Sequence, residues 1–364
     1  MSNEIITVVV DGERFTAWKR SEVNASMKEA ARSFTLEVAA EAGALATAWK
    51  FKAGTALEIY SNDDLLLKGY VDRYEPRLSE RQSEVTISGR SKSADLIDSS
   101  ADHPTGSFRN KTPDEIGNEL AASHGVKIRT DAELEPVDYQ VTPGETVFRA
   151  LEKMTRTQGV TLMGEADGSI LITKAGKRTR RHVGGIIDWQ NLKNGSANHD
   201  WSNRHAKYIV RGQLPDGHGP DSLELEAIAR DAGVDRNNRV VIVIQEENTS
   251  KSRIKKRAEN RRDRATGAAL RATITVQGFR DEVGKIWTPG HLVWVESPFL
   301  NLMQDMLIED VRFNQDDSGS ITTLQLVDPR TYGGEKGKGN KSGPAWKQRN
   351  NDASLATPQT TMVG

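Results

Sequence analysis

Residues 54 to 91 and 290 to 328 of this chain carry one β pattern written twice. Gly54-Thr-Ala-Leu-Glu-Ile-Tyr-Ser61 lies over Gly290-His-Leu-Val-Trp-Val-Glu-Ser297 at a constant offset of 236. One inserted residue later the register resumes at 237, where Val71 meets Ile308, Asp72 meets Glu309, Val85 meets Thr322, Ile87 meets Leu324 and Gly89 meets Leu326. Just upstream, Phe34, Leu36 and Val38 alternate as Ala272, Ile274 and Val276 do, at an offset of 238. Each copy reads strand, variable hairpin, strand, polar turn, strand. Two copies at so long a period describe a duplicated domain rather than a solenoid. Duplication within one chain gives an oligomer twice as many equivalent modules as subunits.

Composition sets the outer limits. A chain of 364 residues is long enough for two or three domains, each with a core. Charged residues are 28% and apolar residues 36%, which predicts much surface per unit of core, and a net charge of −1 argues against a surface built throughout for nucleic acid. The absence of cysteine removes disulfides, thiolate nucleophiles and cysteine zinc sites, and suggests a reducing compartment. Met1 to Val10 has no basic n-region, and no stretch approaches the roughly 20 apolar residues of a membrane span. The expectation is a protein made in the cytoplasm, with neither a classical secretion signal nor stable membrane insertion.

Along the chain, Ile5 to Val10 reads as a strand closed by the hairpin signal Asp11-Gly12, and Phe15 to Trp18 returns. Residues 24 to 31 predict a short Ala-rich helix. Short strands with turn chemistry between them then argue for a small barrel or sandwich. Near residue 95 the period changes from 2 to 3.6. Thr112-Pro113-Asp-Glu-Ile116 opens a helix that stops at Gly125, and Thr142-Pro-Gly-Glu-Thr146 opens another, with Val147, Leu151 and Met154 on one face, that stops at Gly159. Strands 126–128, 160–162 and 170–172 complete a small α/β insert. Beyond it, Ile186 to Trp201, Tyr208 to Val210 and Arg239 to Gln245 read as strands, Leu223 to Arg230 as a helical fragment and Lys251 to Leu270 as a long helix with Ile254, Ala258, Ala265 and Ala269 in a stripe. The tail after Pro329 is too polar to offset its ordering entropy by burial, so disorder is expected when it is free, with Trp346 as its lone apolar anchor.

No catalytic constellation emerges. The seven histidines, at 103, 124, 182, 199, 205, 218 and 291, show no helical metal spacing, and surface or turn positions explain them. Asp63-Asp64 and Asp316-Asp317 fall in hairpin turns, where Asp is favoured for backbone reasons, and at matching places in or near the repeats. Basic residues cluster at 174, 177, 178, 180 and 181 and along Lys251 to Arg264, and a solvated or subunit-facing helix accounts for the second run. Catalytic, cofactor and metal sites are therefore all expected to be none. Tyr139-Gln-Val-Thr-Pro-Gly-Glu-Thr-Val-Phe148 resembles the opening of LysM peptidoglycan-binding modules, although Gly-Glu-Thr is also a good helix start. Tryptophans at 18, 49, 189, 201, 287, 294 and 346 are spread rather than clustered as in a carbohydrate-binding face, and core or rim packing explains Trp287 and Trp294.

The duplicated β module around a small α/β insert, with Gly144-Glu-Thr-Val-Phe-Arg-Ala-Leu-Glu-Lys-Met154, Gly159-Val160 and Asp167-Gly-Ser-Ile-Leu-Ile-Thr173, resembles the Mu-like baseplate hub (tail) proteins of contractile-tailed phages. That family is related to T4-type hubs, late-control D proteins and the bases of type VI spikes. The resemblance covers about residues 1 to 332 and carries no catalytic residue over; unlike type VI spikes, this chain has no C-terminal β-helix repeat. It implies an α+β, mostly β fold with two tail-tube-like barrels, residues 1–98 and 181–332, around an α/β insert at 99–180 and ahead of a flexible tail at 333–364. It further implies a homotrimer with six barrel modules, sited in the virion tail baseplate and assembled in the host cytoplasm. The implied partners are the central spike, the tail tube protein, other baseplate proteins and the tape measure, with transient passage of DNA. The alternative is a peptidoglycan-binding or wall-degrading tail component.

Overall fold

The computed structural model describes residues 4–39, 49–79, 83–175, 180–212, 225–245, 251–334 and 339. The first module contains β1 (Ile6–Val10), β2 (Glu13–Phe15), β3 (Arg20–Ser26), β4 (Ser33–Ala39), β5 (Ala56–Ser61), β6 (Asp64–Leu78) and β7 (Ser83–Ser91). Asp11 and Gly12, both at positive φ, make the tight turn between β1 and β2 that the Asp-Gly signal predicts. The second module contains β18 (Leu270–Gln277), β19 (Leu292–Ser297), β20 (Leu302–Asp316) and β21 (Gly319–Val327).

The repeat holds at the level of individual pairings. β4, β7, β6 and β5 lie side by side in the first module as β18, β21, β20 and β19 do in the second. Leu57 faces Gly69 where Val293 faces Met306, Tyr70 faces Arg90 where Leu307 faces Val327, and Phe34 faces Gly89 where Ala272 faces Leu326. Even the β-bulge recurs, between Val71 and Arg73 and between Ile308 and Asp310. Alternation sends Leu36, Ile87 and Val71 of one copy and Ile274, Leu324 and Ile308 of the other into a single apolar core.

Between the modules sits the insert, with α1 (Ala94–Asp98), β8 (Ser107–Lys111), α2 (Pro113–Leu120), β9 (Ile128–Thr130), β10 (Val137–Gln140), α3 (Val147–Gln158), β11 (Thr161–Gly164) and β12 (Ile170–Thr173). α2 and α3 start where their sequences predict and α3 stops at Gly159 as expected, whereas α2 ends at Leu120 and a 3-10 turn, Ala122–His124, carries the chain to Gly125. Glu115 reaches back to accept the Thr112 N–H at 2.9 Å, Thr146 Oγ1 accepts from the Arg149 N–H at 3.3 Å, and Gly159 ends α3 in the left-handed region. Ile116, Leu120, Val147, Leu151 and Met154 form a second core with β9, β11 and β12. Arg32, buried in the turn after β3, joins insert to module: it donates to the Gly164 and Leu66 carbonyls at 3.2 and 2.8 Å, and burial lowers its guanidinium to about 10.

After the insert come β13 (Arg181–Ile187), β14 (Leu192–His199), β15 (Lys207–Gly212), β16 (Leu225–Arg230), β17 (Val240–Ile244) and α4 (Lys251–Ala268). β15 lies between β16 and β17 in a three-stranded sheet on which α4 packs Ile254 and Ala258. Two helical expectations are corrected. Residues 20–26 are strand β3 and the chain from 27 to 32 is turn; Val23 and Ala25 alternate inward because β4 and β20 flank the segment. Likewise Leu225 to Arg230 is β16, whose Leu225, Ala227 and Ala229 face α4. In both segments long-range pairing overrides the helix propensity of Ala and Glu. The expected tail disorder and Trp346 lie outside the described residues.

Candidate assembly interface

The two modules are fused edge to edge. β20 is long enough for two partners: Leu302 to Leu307 pair with β19, and Asp310 to Asp316 pair with β3 of the other module. Asp310 faces Ser26, Arg312 faces Asn24, and Phe313 faces Val23 across this seam. On the seam's polar face Ser26 Oγ donates to Asp310 Oδ1 at 2.5 Å, and Arg312 Nε donates to Asn24 Oδ1 at 3.0 Å. On its inner face Val311 and Phe313 are buried with Val23 in the common core. A second strap lies nearby, where Arg280 sits 3.3 Å from Glu4, donates to the Ser61 carbonyl at 2.9 Å and pairs with Asp64.

β3 has its own counterpart. Arg20 faces Glu37 on β4 as Asn194 faces Thr275 on β18, and Asn24 faces Ser33 as Asn198 faces Arg271, a constant offset of 174 for β3 to β14. Inward parity agrees, since Ser21, Val23 and Ala25 point in as Gly195, Ala197 and His199 do.

The acidic pairs are turn residues, as expected, but not of the same turn. Asp63 and Asp64 belong to the β5–β6 hairpin, whereas Asp316 and Asp317 belong to the β20–β21 hairpin, whose counterpart joins β6 to β7. Ser318 N–H donates to Asp316 Oδ1 at 2.8 Å, an Asx contact of the kind that selects Asp there. Of the interdomain basic cluster, Arg180 meets Asp131 at 2.6 Å and Arg181 pairs with Asp305; Lys177 and Arg178 lie outside the described residues. Along α4, Arg253, Lys256, Arg257, Arg261 and Arg264 line an open groove with Tyr208 and His205. Glu145 of the LysM-like stretch serves as a helix-start anchor, accepting from Thr142 N–H at 3.1 Å and Tyr139 Oη at 2.9 Å beside Lys153 at 2.5 Å.

Histidine placement departs from expectation at two positions. His182 is fully buried and His291 partly so, their rings 5.2 Å apart and that of His182 4.7 Å from Trp287. Burial lowers both imidazoles, His291 to about 4 with help from Lys285 and His182. No local sequence signal marks this cluster, because residues 182, 281, 287 and 291 meet only through the parallel pairing of β13 with β19. Of the remaining described histidines, His103 and His205 lie in loops, His124 ends a 3-10 helix and His199 ends β14, its Nε2 3.0 Å from the Leu300 carbonyl oxygen. Trp287 is core and Trp294 sits half-buried on β19, while Trp189 is 96% and Phe299 91% exposed on neighbouring turns. Among the described residues no three His, Asp or Glu side chains are placed to share an ion.

Comparison with known proteins gives this architecture its class. Residues 5–91 match a family model for the N-terminal domain of Mu phage GpP-like baseplate assembly proteins, residues 93–174 one for the second domain of gp44-like baseplate hub proteins, and residues 249–335 one for the fourth domain of Mu GpP. The 43 kDa tail protein of prophage MuSo2 from Shewanella oneidensis is 27% identical, with a TM-score of 0.77 over 90% of this chain and 99% of its own. The fold likeness extends, at 9% identity and a TM-score of 0.53, to the type VI secretion component c3393 of E. coli, covering 92% of this chain and 78% of that one. All three models describe domains of phage baseplate proteins, and the chain is similar in sequence and fold to the baseplate hub proteins of phage tails. More narrowly, it is a homologue of the baseplate hub protein gp44 of Escherichia phage Mu, 27% identical over 347 residues, which span 91% of this chain and 89% of that protein.

Proposed function

We propose that three copies of this chain close into a ring of six near-equivalent modules that joins the tail tube to the central spike of a Mu-like tail and lets DNA pass after contraction. One observation carries the reading: a single chain holds the same four-stranded unit twice, with the same pairings and the same bulge. Three such chains present six units, whereas two present four and six present twelve. In this reading residues 1–98 and 181–332 are the ring modules and 99–180 decorate them. The work is mechanical and needs no catalytic, cofactor or metal site; the chain is assembled in the host cytoplasm, where tube, spike, tape-measure and other baseplate proteins are its partners.

Sedimentation velocity over a range of concentrations tests this. The expected species is a trimer of about 120 kDa, three times the chain mass of 40.2 kDa. A stable dimer would contradict the ring.

A further inference from the structure

We infer that the ring is closed by the outer half of β6 of one copy pairing antiparallel with β14 of the next, with Arg73 opposite Asp200, Glu75 opposite Asn198 and Arg77 opposite Ser196. The inference rests on the ring reading above and adds the surface, the partner strand and the register.

The template lies inside the chain. β20 pairs with β19 through its first half and with β3 of the other module through its second. Its counterpart β6 pairs with β5 through its first half, but Arg73 to Leu78 meet no strand on that side among the described residues. The counterpart of β3 is β14, which among the described residues pairs with β18 alone. One seam is therefore made, and the two halves of a second are left open. Among the described residues they do not meet within one chain, since six strands of the run β14-β18-β21-β20-β3-β4-β7-β6 lie between them in the sheet. Carrying the internal register across, by 237 for β20 to β6 and 174 for β3 to β14, gives the pairs stated.

The side chains of the two edges agree with that register, although nothing in the transfer required it. Arg73 and Asp200, both exposed, bring opposite charges together, and no like charges face each other. On the inner face Tyr74 falls beside His199, and Leu78, 86% exposed, covers Gly195. Pro76 falls opposite Ala197. Alternation from the two-residue β20–β21 turn aims the Phe313 amide at the internal seam, so its counterpart Pro76 faces the open edge without an N–H. Pro76 therefore leaves one ladder bond of the seam unmade, which weakens pairing of this edge with any strand and leaves more of the partner selection to the side chains.

Because the chain has no cysteine, a disulfide reports the register directly. Glu75 and Asn198 would form a pair without mutual backbone hydrogen bonds, with Cα atoms roughly 4.5 Å apart and within disulfide reach. The full chain carrying Glu75→Cys and Asn198→Cys should run after oxidation as covalent dimer and trimer. Glu75→Cys with His199→Cys, one residue out of register, should not cross-link. A sedimenting trimer that gives no cross-link at 75/198 overturns this seam and leaves the ring standing; absence of any trimer overturns both. A second measurement uses charge. Arg73→Asp or Asp200→Arg alone should weaken trimerisation about tenfold, and the two together should restore it; no weakening by either change also overturns the seam.

Discussion

The His182 ring has no access to solvent, and both of its nitrogens are engaged. Nδ1 lies 2.8 Å from Asp281 Oδ2, and Nε2 accepts the Thr288 N–H at 3.1 Å, an arrangement that suits the neutral imidazole with its proton on Nδ1. Burial raises the Asp281 carboxyl, but hydrogen bonds from His182 and from the Lys285 and Val183 N–H groups outweigh it and hold the carboxyl below its ordinary range. His291, at about 4, stays neutral beside it. The sign follows from linkage. Below the unfolded histidine value near 6.5 the unfolded chain binds protons that the folded His182 and His291 refuse, so stability is full above about pH 6.5 and falls as pH drops toward 4. Asp281 adds a separate loss only at lower pH, as it falls through the depressed carboxylate value. Denaturant unfolding at pH 7 and pH 4.5 should show a histidine loss of roughly 1–3 kcal/mol, the range allowing for partial exposure of His291. His291→Gln should reduce that loss, and an undiminished loss would place the titration elsewhere.

At the scale of elements, each repeat begins on a glycine that the turn geometry requires. Gly54 and Gly290 have φ of 86° and 77°, and each donates its N–H at 2.8 Å to the strand partner, Val71 or Ile308. Val71 and Ile308 return a bond at 2.9 Å to Thr55 and His291, so the same two-bond clamp starts β5 and β19. A Cβ at Gly54 meets nothing within 4 Å, and at Gly290 its nearest neighbour is Met163 Sδ at 3.5 Å, an ordinary contact. Alanine at either position therefore suffers only from the left-handed backbone. Gly54→Ala and Gly290→Ala should each cost about 1–2 kcal/mol in denaturant unfolding. Clearly unequal costs would mean that the two copies are not equivalent where they begin.

For the whole molecule, charge is spread in pairs rather than gathered around a reaction centre. Arg204 and Asp231 make a bidentate buried pair at 2.7 and 2.9 Å, with Thr266 of α4 donating to Asp231 at 2.9 Å, and so tie the start of β15 to the helix. Burial raises the Asp231 carboxyl, yet the Arg204 guanidinium and these hydrogen bonds bring it below the ordinary range, as suits a carboxylate kept ionised for structure. The adjacent acids of the hairpins are occupied in turns and straps, Asp64 by Arg280 and Asp316 by its own hairpin. Zymography on peptidoglycan with the purified chain should accordingly show no clearing. Clearing that disappears on mutating any single Asp or Glu would overturn a purely mechanical role.

The amino-acid sequence by itself determined the modules and their insert. A duplicated alternation fixes inward parity, since a slip of one residue turns every side chain over, and the insert helices are written in their caps, Thr112, Thr146 and Gly159. These signals are local, so they can be read without knowing what lies alongside. Tertiary structure decided the rest. That 20–26 and 225–230 are strands depends on β20 and β15, which come from distant parts of the chain. The His182 cluster depends on the parallel pairing of β13 with β19. The open edges of β6 and β14 became recognisable only once β20 had been seen to join β3, because a strand edge is free or occupied according to its neighbours, and those are chosen by long-range packing rather than by the residues of the strand itself.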